Sequence, residues 1–128
     1  MGAAGLYGPA VFFRFLSMTN PSKLNPLQLK TLTLLQAIAR LPGAAAMTPA
    51  GDVAITKFPN AHGDHFHLGD AVVSGKHATG LYNQAVWNAL TRKGLAKAEY
   101  PHQIALTPAG MGYDTGMADE ILRSGGGH

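Results

Sequence analysis

Ala89-Leu90-Thr91-Arg92-Lys93-Gly94-Leu95, followed a little further on by Leu106-Thr107-Pro108-Ala109-Gly110, holds the key to how this chain folds. The first half has the form of a helix end. Gly94 stands where a left-handed residue closes the last turn, and Leu95 can fold back on Leu90. Two short extended runs at 95–100 and 103–106 then flank Pro101-His102, which predicts a hairpin with a very short tip. Thr107 ahead of Pro108 is the cap-and-proline opening of a further helix, running to about Arg123. Gly110, Gly112 and Gly116 weaken that helix, each by about 1 kcal/mol relative to alanine.

Upstream of this stretch, Thr79 offers an N-cap for a helix over 79–93. Leu81, Ala85, Val86, Ala89 and Leu90 form its inward stripe, which turns Tyr82, Asn83, Gln84, Trp87, Asn88, Thr91 and Arg92 outward. Further upstream, Asn25 as N-cap, Pro26 at the first helical position and Gln28 at N3 predict a capping box. Apolar or small residues at Leu27, Thr31, Leu34, Leu35, Ile38 and Leu41 recur at helical spacing until Pro42-Gly43 stops them. After a loop over 44–51, the β-branched run 53–58 and the alternating 65–68, separated by Pro59-Asn60 and Gly63, predict a hairpin. The segment 69–75 either continues the second strand or begins a short helix capped by Asp70.

Arg92-Lys93-Gly94-Leu95 with Leu106-Thr107-Pro108-Ala109-Gly110 resembles the end of the recognition helix, the wing and the start of the closing helix in bacterial winged-helix regulators of the MarR type. The likeness is close from Ala89 to Gly110, and it extends over 25–123 in element order: helix, strand, helix, hairpin, helix. It implies an α+β fold, a winged helix-turn-helix of three to four helices with a β-hairpin wing and an extra hairpin before the recognition helix. It also implies a homodimer on double-stranded DNA, joined through the final helix or the apolar N-terminal segment. The first helix of the helix-turn-helix pair would fall within 68–76, where Val72-Val73-Ser74-Gly75 is a weak helix former.

Composition fits one such domain. The chain has 128 residues, 46% of them hydrophobic, which suffices for one real core. It has no cysteine, which excludes disulfides, thiolate metal sites and a cysteine nucleophile, and fits a cytoplasmic protein. No stretch reaches the roughly 18 apolar residues of a membrane span, so no membrane partner is expected. We read 1–20 as a poorly ordered or extra N-terminal arm, 21–123 as the domain and the glycine-rich 124–128 as a disordered tail. The apolar run from Val11 to Leu16 lacks the basic lead and small-residue cleavage site of a secretory signal. Met18-Thr19-Asn20-Pro21 has the polar character of a chain start, so 1–17 reads as either an extension or a loosely ordered arm.

Charge sharpens the functional expectation. Over 71–106, Lys76, Arg92, Lys93 and Lys97 face the single acid Glu99, whereas over 107–128 Asp114, Asp119 and Glu120 outnumber Arg123. A cationic central segment suits a polyanion. Asn83, Gln84 and Asn88 could pair with adenine and Arg92 with guanine in the major groove, joined by Tyr82, Trp87 and Thr91. Lys76, His77, Lys93, Lys97 and, at the wing tip, His102 would meet phosphates.

Two other readings come from the same residues. Trp87 and Tyr82 could instead anchor a partner protein, making the domain an interaction module. His65 and His67, two apart on a strand, point to one side and with His62 or Asp64 from the turn could hold a divalent metal. The plainer alternative for the histidines is that Phe66 and Leu68 face the core while they sit in water. No cofactor other than that metal is implied. Ser74-Gly75-Lys76-His77 lacks an acid to orient its histidine, so an enzyme is not expected.

Overall fold

The computed structural model describes residues 20–60 and 63–124. The arm at 1–20 and the tail at 124–128 therefore lie outside the described residues, except for Asn20 and Ser124. The first helix, α1 (Pro26–Ala39), starts as its sequence dictates. The Asn25 side chain accepts from the Gln28 amide at 2.8 Å, and the Gln28 side chain accepts from the Asn25 amide at 3.0 Å. From Thr31 to Gln36 every residue is buried, because other elements pack around the whole helix. Its buried threonines are satisfied locally: Thr31 and Thr33 each donate to a carbonyl one turn back, at 2.8 Å.

The strands form two small antiparallel sheets, the first of which packs on α1. Strands β1 (Ala45–Met47) and β2 (Val53–Ile55), with β5 (Ala96–Glu99) and β6 (Gln103–Leu106), form one sheet in the order β1-β2-β6-β5. Strands β3 (His65–Leu68), β4 (Ala71–Ser74) and β7 (Arg123–Ser124) form the other, in that order. The expected hairpin between 53–58 and 65–68 is not formed. Both edges of β2 are taken, by β1 out of the expected loop 44–51 and by β6, which leaves no edge for β3. β3 instead turns on Gly69-Asp70, with Leu68 opposite Ala71 and Gly69 at a φ of 60° that suits glycine. Where a helix-turn-helix would have its first helix stand β4 and a single 3-10 turn (Gly75–His77).

The second helix, α2 (Gln84–Arg92), is shorter than the 79–93 read from sequence. Gly80 explains the late start. A Cβ at that position would lie 2.1 Å from Thr31 Oγ1, so the chain lies flush on α1 in tight turns before a helix can begin. Asn83, rather than Thr79, then caps α2, its Oδ1 accepting from Ala85 and Val86 amides at 2.9 and 3.3 Å. The single closing helix expected over 107–123 is also replaced. α3 (Pro108–Gly112) and α4 (Ala118–Ile121) are separated by an extended Tyr113 and by Gly116 at a φ of 70°. The fold is thus α+β, with four α-helices and two antiparallel sheets among the described residues.

Candidate nucleic-acid interface

The helix α2 divides cleanly. Val86, Trp87, Ala89 and Leu90 are buried, whereas Gln84, Ala85, Asn88, Thr91 and Arg92 are exposed. Gln84, Asn88 and Arg92 stand four residues apart, so they form one row along the helix. Lys93, the C-cap, extends this face and is exposed, as is Lys76 before the helix. None of Lys76, Arg92 and Lys93 is paired to a carboxylate among the described residues.

Five of the side chains expected on that interface are engaged or buried within the fold. Trp87 is fully buried at 0% exposure, not outward, and its indole N–H donates to the Leu81 carbonyl at 2.8 Å. Ala85, expected inside, takes the solvent position and the indole takes the core, where Phe58 and Tyr100 pack on it. This also removes Trp87 as an anchor for a partner protein. Asn83 spends its side-chain oxygen on the α2 cap. The Thr91 hydroxyl donates to the Trp87 carbonyl at 2.9 Å, so its proton is not on offer outside. His77 sits half-buried in the 3-10 turn with Nδ1 sealed from solvent and no hydrogen-bond partner among the described residues. Burial first, then the positive charge of Lys30, holds its pKa below the ordinary histidine value.

Beside α2 lies the β5-β6 hairpin, with β6 internal to its sheet. Its register, from Ala96 opposite Leu106 to Glu99 opposite Gln103, leaves a turn of Tyr100, Pro101 and His102, with His102 exposed. Lys97, read as a phosphate contact, is exposed but paired within the fold: its Nζ lies 2.8 Å from Asp52 Oδ2, whose side chain is only 8% exposed. The sequence carries no signal for that pair, since Asp52 and Lys97 stand far apart in the chain with no local pattern to join them.

An aromatic cluster at the junction of wing and helix was not foreseen either. Phe58 lies 5.2 Å from Tyr82 and 6.4 Å from Trp87 between ring centres, and Tyr100 meets the Trp87 ring edge-on at 4.9 Å. Partial burial raises the Tyr82 phenol above its ordinary pKa.

On β3, Phe66 and Leu68 face the core while His65 is half-buried and His67 exposed, as strand alternation requires. The two imidazoles are 5.2 Å apart between centres, and Asp64 Oδ1 is 3.5 Å from His65 Nδ1. Among the described residues no three histidines or acids converge as a metal site requires, and His62 lies outside them. No helix among them is long and apolar enough to cross a membrane. Compared with known proteins, the chain matches no family model, no curated protein and no solved structure.

Proposed function

We propose that this chain is a winged-helix DNA-binding protein, a transcription regulator that reads the major groove with α2 and braces on the backbone with the β5-β6 wing. The observation that carries this reading is the solvent row Gln84, Asn88 and Arg92 on a helix of nine residues. Glutamine and asparagine offer paired donor and acceptor to adenine, and arginine its fork to guanine. The antiparallel pairing of β2 with β6 supports it, since that contact ties the second strand after α1 to the wing. Lys93 at the C-cap of α2 is exposed and available to a phosphate, and exposed Lys76 adds positive charge upstream of the helix.

In this reading the β3-β4 hairpin replaces the first helix of the helix-turn-helix pair, and the protein acts as a two-fold dimer. Two half-sites would then lie about 34 Å apart, one turn of B-DNA. The test is retardation of a random-sequence duplex pool at low and moderate salt, with sedimentation on the same sample. Binding that weakens steeply with salt is expected. Folded protein that retards no duplex at low salt refutes the reading, and a monomer at high concentration refutes the dimer.

A further inference from the structure

Tyr82 is one of two large apolar side chains that stay exposed among the described residues, at 57%. It is also held firmly. Its ring leans on Phe58 at 5.2 Å between centres, and its carbonyl accepts the Tyr100 hydroxyl from the wing. The preceding carbonyl, of Leu81, accepts the Trp87 indole at 2.8 Å from within α2. Residues 81 and 82 are therefore clamped by two aromatic donors, one on the helix and one on the wing. The clamp presents a flat ring to solvent immediately before the α2 cap.

The surroundings indicate what such a ring would meet. From Ala71 to Ala98 the chain contains no acidic residue, and exposed Lys57 adjoins Phe58. Gln84 and Ala85, next along the helix, are exposed as well, so no broad apolar patch surrounds the ring. A partner with flat π faces and negative charge suits this site, and a nucleic-acid base on its phosphate chain has both.

We propose that Tyr82 is a stacking plate for an unstacked base, and that Tyr100 is the positioning residue that fixes it through its hydroxyl. This rests on the DNA-binding reading of α2 and adds a preference: DNA carrying an unpaired base over the same duplex fully paired. Bases of any kind would serve, because every base has a π face.

The experiment is fluorescence anisotropy with a labelled duplex, alone or with a single unpaired thymine. The full chain and its Tyr82→Ala, Tyr82→Phe and Tyr100→Phe variants are each measured. The parent is expected to favour the unpaired thymine by about tenfold. Tyr82→Phe keeps that ratio, and Tyr82→Ala abolishes it. Tyr100→Phe reduces it, and unchanged far-ultraviolet circular dichroism shows that the variant is folded. A parent that binds both duplexes equally, or a Tyr82→Ala variant that keeps the ratio, overturns the proposal while the function reading survives. Failure to bind either duplex overturns both.

Discussion

Thr107 Oγ1 donates a 2.7 Å hydrogen bond to the carbonyl of Gly94, fastening the residue that opens α3 to the one that follows α2. The contact is reinforced on both sides. The Thr107 amide donates to the Leu95 carbonyl at 3.1 Å, and the Thr107 hydroxyl oxygen accepts from the Gly110 amide at 3.1 Å. Gly94 itself takes a φ of 75°, the left-handed turn that releases the chain into β5. The two halves of the wing signature are thus one hydrogen-bonded joint, closed around the hairpin between them.

Gly110 is the most constrained member of that joint. A Cβ there would lie 1.9 Å from the Leu95 carbonyl oxygen, so backbone must move to admit it. Gly110→Ala is expected to destabilise the fold by roughly 1–3 kcal/mol, despite the better helix propensity of alanine. Each kcal/mol lowers Tm by about 4–8 °C in a domain of this size. An unchanged or raised Tm by calorimetry would show that the closing segment does not pack as described.

The burial of Trp87 has a direct optical test, because it is the single tryptophan in the chain. Native emission is expected at short wavelength, with little quenching by iodide, and unfolding should shift it to the red. Trp87→Ala is expected to cost about 3–5 kcal/mol. Red-shifted, readily quenched native emission would return the indole to the surface.

How far the sequence foretold this fold depends on which forces are local. The α1 capping box, the hairpin over 95–106 and the Thr107 cap follow from neighbours within a few residues, and each was legible. The start of α2 was not, because Gly80 is set by Thr31 far back in the chain. Strand pairing has the same character: nothing near 53–58 announces that β6 takes the edge of β2. Of the candidate interface, Gln84, Asn88 and Arg92 were legible as an outward row, since a late helix start leaves their mutual spacing intact. Trp87, Asn83 and Lys97 were not, because an indole, an amide and an ammonium each found a partner inside the molecule.

Asn83 and Arg92 should therefore separate in mutagenesis. Asn83→Ala removes the α2 cap and is expected to cost about 1 kcal/mol of stability. Arg92→Ala leaves stability nearly unchanged. If Arg92 reads a base, it weakens binding by roughly 1–3 kcal/mol at one position of a selected site. If it meets a phosphate, the loss is uniform across sequences and the log–log salt slope falls by about 0.9. Arg92→Ala protein with parental affinity at all salts would remove α2 from the interface.

Lys97 and Asp52 form a pair of unequal burial, with side chains 63% and 8% exposed. Removing the cation strands a carboxylate that is nearly sealed, a cost of about 1–3 kcal/mol. Lys97→Met is thus expected to lower Tm, and Asp52→Asn introduced with it should restore part of the loss. Absence of that recovery would mean that the pair contributes no coupling.

His77 gives the fold a pH dependence whose sign can be worked out. Burial of the imidazole is the largest influence, and Lys30, Lys76 and Arg123 add to it, outweighing Glu120, so the folded pKa lies below 6.5. In the unfolded chain the group titrates near 6.5. As pH falls, the unfolded state takes up this proton first and is favoured. The stability associated with neutral His77 is therefore present above about pH 6.5 and is lost as pH falls towards the lower, folded value. Thermal unfolding of the parent should give a lower Tm at about pH 5.5 than at about pH 7.5, and His77→Gln should flatten that difference, because the amide cannot be protonated in this range. Parallel pH profiles for the two would show that the imidazole is as well solvated in the fold as outside it.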